Sequence, residues 1–71
     1  KADLVIANIT ADVLLRLRDQ MNDLLKPDGA VIISGIINSR GGEIESAYRK
    51  LFRIESKLCR GEWQAMLLRR I

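Results

Sequence analysis

Asp3–Ile9 reads DLVIANI and Ala30–Ile37 reads AVIISGII. Both are short, nearly unbroken apolar runs rich in β-branched residues, the pattern of a buried strand. Between them Val13, Leu14, Leu17, Met21, Leu24 and Leu25 recur at helical spacing, with Asp12, Arg16, Asp19, Gln20 and Asp23 mostly on the other side. Thr10 stands where it can cap this helix, and Asp12 falls in its first turn, where negative charge suits the dipole. Lys26-Pro27-Asp28-Gly29 stops it, because Pro27 disfavours α geometry at Lys26 and Gly29 supplies a turn residue. Two strands joined by one helix are expected to be parallel, with a right-handed crossover.

Downstream, Asn38–Gly42 reads as a polar loop. Ile44, Ala47, Tyr48 and Leu51 mark one face of a second helix over roughly residues 42–51. Phe52, Ile54 and Leu58 then fall on alternate positions, with Arg53, Glu55, Lys57 and Cys59 between them, which is strand periodicity with one wet face. Arg60-Gly61-Glu62 reads as a hairpin turn. In the last strand Trp63, Ala65, Leu67 and Arg69 share one face, and Met66 and Leu68 the other. The order is β-α-β-α-β-β, an α/β layer structure with a mixed sheet and the last strand antiparallel.

Both central strands are apolar on both sides and require cover on both. Right-handed crossovers in a sheet growing one way put both helices on the same face, which leaves the other bare. The segment therefore reads as part of a larger domain. Lys1 leading into a strand without a linker or cap is the opening expected of a fragment.

Composition narrows the chemistry. The chain has 71 residues, one small domain, and a chain so short buries only about 60% of its unfolded surface. One cysteine, Cys59, and no histidine exclude an internal disulfide and the usual zinc site. A lone cysteine fits a reducing compartment. The net charge is +3, and the twelve Lys and Arg residues are scattered without interleaved aromatics. They read as a solvated surface, not as a nucleic-acid interface. No apolar run reaches the ~20 residues of a membrane span. No direct nucleic-acid partner, no membrane and a cytoplasmic location are the expectations.

DLVIANI, then LLKPDG closing a leucine-rich helix, then AVIISGII, then GEW before a strand ending in LRR: in this order and spacing they resemble the second half of the class I (Rossmann-like), S-adenosylmethionine-dependent lysine methyltransferases of ribosomal protein eleven of the large subunit. The resemblance covers essentially the whole chain. It implies that residues 3–9, 30–37, 52–60 and 63–70 are the fourth to seventh strands of the family sheet. In that sheet the fourth, fifth, seventh and sixth strands lie side by side in that order, the seventh antiparallel. Residues 1–71 would then be a partial methyltransferase domain, without the N-terminal half that carries the glycine-rich cofactor loop. The implied activity is methyl transfer from S-adenosylmethionine to amino groups of a ribosomal protein. Such a displacement depends on positioning an uncharged amine more than on acid-base chemistry.

Site residues follow the same route. Asn8 stands at the C-terminal end of its strand, outside which open α/β sheets bind ligands. From the residues alone it is either a turn former or a site residue. The resemblance implies that it contacts S-adenosylmethionine or orients the incoming nitrogen. Ile9, Thr10, Ser34 and Gly35 would then lie near the substrate, with no catalytic acid or base and no metal ligand assigned. Gly35 allows close backbone approach or eases a bulge. Many methyltransferases of exocyclic base amines carry Asn-Pro-Pro-Tyr where this chain has Asn-Ile-Thr, which argues against a nucleic-acid base as substrate. The family usually has Leu where Thr10 stands. Trp63 reads as core or edge packing, and Cys59 as incidental. Alternatives are a related enzyme acting on another protein such as the electron-transfer flavoprotein, a non-enzymatic α/β interaction module, and half of a nicotinamide-nucleotide domain, which the missing dinucleotide fingerprint disfavours.

Two outcomes are expected of the isolated chain. It should self-associate and bind a hydrophobic dye, and a sedimentation profile of one clean monomer would refute that. Calorimetric titration should find no tight binding of S-adenosylmethionine.

Overall fold

The computed structural model describes all residues, 1–71. β1 (Ala2–Asn8) leads into α1 (Ala11–Leu24), β2 (Leu25–Ile37), a single 3₁₀ turn (Asn38–Arg40), α2 (Gly41–Tyr48), β3 (Phe52–Arg60) and β4 (Trp63–Arg70). The four strands form one sheet in the order β1-β2-β4-β3. β1 and β2 are parallel, and β4 is antiparallel to both β2 and β3. The mixed α/β sheet expected from the sequence is therefore present.

Both helices lie on one face. Leu14 and Met21 from α1 and Ile44 and Tyr48 from α2 pack on Val31, Ile33, Phe52, Met66 and Leu68 of the sheet. Two hydrogen bonds join the helices in opposite directions. The Tyr48 hydroxyl donates to Leu14 O at 2.7 Å, and Arg18 Nη1 donates to Ala47 O at 3.1 Å. Tyr48 and Phe52 add an aromatic pair with centroids 5.4 Å apart.

The opposite face has no layer over it in this chain. Leu4 is 49% exposed, Ile6 70%, Leu58 69% and Trp63 52%. The burial of fully apolar strands on one side only, reasoned from sequence, is what the structure contains.

Several local expectations are corrected. Thr10 occupies the N-cap position, but its side chain makes no capping hydrogen bond; its carbonyl accepts from Leu14 N at 3.0 Å. Leu24 is exposed, while Leu25 is fully buried as the first residue of β2. The KPDG stretch, expected as a turn before a strand beginning at Ala30, lies within β2 as an irregularity in its pairing with β1, and Asp28, not Gly29, takes the left-handed backbone there at φ 66°. Gly29 is required for closeness instead, since a Cβ there would lie 2.8 Å from Lys26 O. α2 ends at Tyr48, short of residue 51. A register shift between Ile54 and Ser56 flips β3, so that Leu58 opposes Ala65 on the uncovered face while Phe52 and Ile54 face the helices. The continuous alternation read from the sequence is broken there by one extra residue.

The terminal arginines are not simply solvated. Arg69 Nη1 donates to Asp28 O at 2.7 Å, and Arg70 Nη1 donates to Leu25 O, so both hold the main chain around the KPDG stretch. Arg69 also bonds Glu55 at 3.0 Å and, with Arg53, keeps that carboxyl below the usual carboxylate range.

Burial pushes the Tyr48 phenol up to about 12, against a small opposing effect of Arg18. With the folded value above the unfolded one, the stability contributed by the neutral phenol is complete below about pH 10. It is lost as pH rises through about 12. Tyr48→Phe should therefore cost ~1 kcal/mol near neutrality through its lost hydrogen bond. Urea midpoints of the two proteins should converge as the pH approaches about 12, whereas a constant gap would refute this.

Candidate functional site

β1 and β2 run side by side until β1 ends at Asn8, opposite Ser34, and β2 continues to Ile37. Beyond Ile33 the pairing of β2 with β4 shifts register, so Ser34 and Gly35 form a bulge before Ile36 rejoins Gln64. Gly35 carries φ +78°. A Cβ at Gly35 would stand 2.5 Å from Asn8 Oδ1. The glycine eases the bulge, one of the two readings left open by the sequence, and leaves room for the Asn8 carboxamide. Asn8 is exposed and its side chain has no hydrogen-bond partner within the chain. An amide with free donors and a free acceptor can bind a polar ligand group.

Of the other site residues read from sequence, Ser34 and Gly35 lie beside Asn8, and Thr10 stands exposed at the start of α1. Ile9 does not join them through its side chain, which packs against the core. That is the physical consequence of alternation at the strand end: a residue following an outward Asn8 turns inward.

Two shallow clefts meet at this point. One, of about 230 Å³, is lined by Thr10, Asp12, Gly35, Ile37, Arg40 and Trp63. The other, of about 160 Å³, is lined by Ser34, Gly35, Leu58, Arg60, Trp63, Gln64 and Ala65. Gly35 and Trp63 border both. A larger hollow, of about 420 Å³, lies near Arg49, Phe52 and Ile71 at the opposite ends of the strands. Open α/β sheets bind ligands at the C-terminal strand ends, so the Asn8 end is the candidate.

Trp63, expected from the sequence as core or edge packing, is not in this chain's core. It is half exposed and walls both clefts. A topological signal existed: a strand antiparallel to β2 must begin where β2 ends, and Trp63 opens β4 opposite Ile37. Arg40 was also missed. Its Nη2 donates to Asp12 at 2.9 Å and its Nε to Glu43 at 2.5 Å, so it ties the first turn of α1 to that of α2. Glu43 first, then Asp12, hold the guanidinium firmly protonated. No sequence spacing relates Asp12 to Arg40, because the contact exists only once both helices sit on one face.

Asn8, Thr10 and Ser34 offer hydrogen bonds but none is a base near neutral pH. The arrangement is suited to orienting a group for reaction, with an indole and Ile37 as its apolar walls.

Comparison with known proteins identifies the family. A family model described as ribosomal protein L11 methyltransferase (PrmA) matches residues 1–71. The ribosomal protein L11 methyltransferase of Heliobacterium modesticaldum is 45% identical over 99% of this chain and 22% of its own length. That of Streptococcus agalactiae is 38% identical with the same coverage, so the chain spans about a fifth of these relatives. The crystal structure of a ribosomal protein L11 methylase from Lactobacillus delbrueckii subsp. bulgaricus superposes with a TM-score of 0.91 at 39% identity. It covers 96% of this chain and 36% of that one. No helix here is long and apolar enough to cross a membrane. With the whole of its length matched by that model and by relatives of this identity, the chain belongs to the ribosomal protein L11 methyltransferase (PrmA) family.

Proposed function

We propose that residues 1–71 form the fourth-to-seventh-strand portion of a class I, S-adenosylmethionine-dependent methyltransferase domain. The enzyme of which it is part methylates amino groups of a ribosomal protein in the cytoplasm. The observation that carries this reading is the strand order β1-β2-β4-β3 with β4 antiparallel. It is the order in which the fourth, fifth, seventh and sixth strands of such a sheet lie. The names of the relatives support the substrate.

The residues present fit one edge of a cofactor site. Gly35 leaves a cradle that a Cβ would fill, and the Asn8 amide beside it has no partner within the chain. Asn8 would hold the polar edge of S-adenosylmethionine, which when bound supplies an electrophilic methyl group on a sulfonium. Residues 1–71 contain no glycine-rich cofactor loop, and the proposed enzyme draws that loop from another part of its chain. This portion alone is accordingly inactive.

The chain's own residues then act on the incoming amine. Asn8 Oδ1 accepts a hydrogen bond from the amine N–H and so directs the nitrogen lone pair. Trp63 and Ile37 exclude water from one side of the amine. An apolar surround disfavours the ammonium form and so favours the neutral nucleophile. The expected gain is one of positioning. The uncovered face, with Leu4 and Ile6 exposed, is in this reading the seat of the rest of the domain, and it accounts for the self-association expected of the isolated portion.

In the complete enzyme, Asn8→Ala should lower kcat/KM for methylation of the ribosomal protein about 10- to 100-fold. Its unfolding midpoint should stay unchanged, since the side chain is exposed and unbonded. Unaltered methylation would remove Asn8 from the mechanism, and an inactive wild-type enzyme would refute the function. Gly35→Ala should cost about 1–3 kcal/mol, through positive φ and collision with Asn8. The Asn8→Ala/Gly35→Ala pair should cost less than the sum of its parts, because the collision is gone.

A further inference from the structure

The hairpin turn, the end of β2 and the start of α2 meet around one buried amide. Gly61 O can only accept, so Asn38 must present Nδ2 to it, at 2.8 Å. Asn38 is fixed a second time by its backbone N–H, which donates to Glu62 O at 2.8 Å. The Asn38 Oδ1 therefore faces Gln64 and receives Nε2 at 2.9 Å. This sets the Gln64 amide, whose Oε1 turns inward. Gln64 is only 9% exposed, and its Oε1 is buried without a partner. The oxygen is aimed at Gly41, the first residue of α2, where a Cβ would lie 2.4 Å away.

Such an acceptor is a cost to folding, since it gave up water and gained nothing. What the amide does is tie three segments together. Gln64 itself borders the smaller cleft, its neighbour Trp63 walls both clefts, and Ile37, opposite Trp63, and Arg40 belong to the rim that Asn38 anchors.

We propose that Gln64 and Asn38 are positioning residues, whose hydrogen bond fixes Trp63 and the Ile37–Arg40 rim at the mouth of the site. The inference rests on the reading of that site as a methyl-transfer centre. Neither residue touches the reacting atoms; both act through the walls they hold. A purely structural Gln64 would behave oppositely to a positioning one. Replacing it with an apolar side chain of similar length removes the orphan oxygen and leaves stability equal or higher, while releasing Asn38, which is exposed and can turn to water.

The test compares Gln64→Met, Asn38→Ala and the double variant in the complete enzyme. Gln64→Met should melt at or above the wild-type temperature, yet kcat should fall about tenfold. KM for S-adenosylmethionine should stay within about twofold, since Asn8 is untouched. Asn38→Ala, at an exposed position, should give the same kcat loss even if Gln64→Met folds poorly. The double variant should lose no more than the larger single loss, as expected of two ends of one bond. Amide exchange at Ile37–Gly42 should quicken about tenfold in both single variants. Wild-type kcat in both singles, or losses that multiply in the double, would overturn the proposal. Exchange needs no activity, so an enzyme that transfers no methyl group would refute the function alone, and unchanged exchange would then overturn the positioning role by itself.

Discussion

The structure depends on burying one face of a sheet whose strands are apolar on both. Val31, Ile33, Met66 and Leu68 present that face, and Leu14, Met21, Ile44 and Tyr48 cover it from two helices. Crossovers β1-α1-β2 and β2-α2-β3 of one hand oblige the helices to share a side. Once side by side, they are locked by Tyr48 on the Leu14 carbonyl and Arg18 on the Ala47 carbonyl. Each of these bonds ends on a main-chain oxygen of the other helix, so sliding one helix along the other would break both. The other face keeps Ile6, Leu58 and Trp63 in water, a cost that only a further layer of protein would recover.

The candidate site is a consequence of the same arrangement. Parallel β1 and β2 bring Asn8 level with Ser34, and the antiparallel return of β4 brings Trp63 level with Ile37. Three loops therefore converge at one end of the sheet. Glycine makes the convergence tolerable at two points: Gly35 beneath the Asn8 amide and Gly41 beneath the Gln64 amide. At the opposite end, Arg69 and Arg70 bind the carbonyls of Asp28 and Leu25, so the irregular first residues of β2 are held by the last strand. The terminal basic pair thus closes the fold.

Polar groups do the fine placement. Arg40 joins Asp12 to Glu43 at the heads of the two helices, while Lys57 and Arg49 converge on Glu45 to tie α2 to β3. Exposed pairs such as Lys26 with Asp3 contribute little, because water screens them. The Asn38–Gln64 bond differs, being part-buried and coupled to a buried oxygen without a partner.

What the chain's order of residues determined by itself was the element sequence, the parallel pairing of DLVIANI with AVIISGII, the hairpin, and the single covered face. These follow from periodicity and crossover handedness, which are local or nearly so. The meeting of Asn8 with Ser34 and Gly35 was also legible as a place, since parallel pairing brings the end of β1 beside that stretch of β2. Only the tertiary structure decided that Ile9 turns into the core, that Asp28 and not Gly29 takes the left-handed backbone, and that β3 slips by one residue at Glu55. It alone brought Asp12 to Arg40 and Gln64 to Asn38, and set Trp63 at the cleft. Those contacts join residues more than twenty positions apart, whose meeting is set by how the elements pack and not by any local pattern.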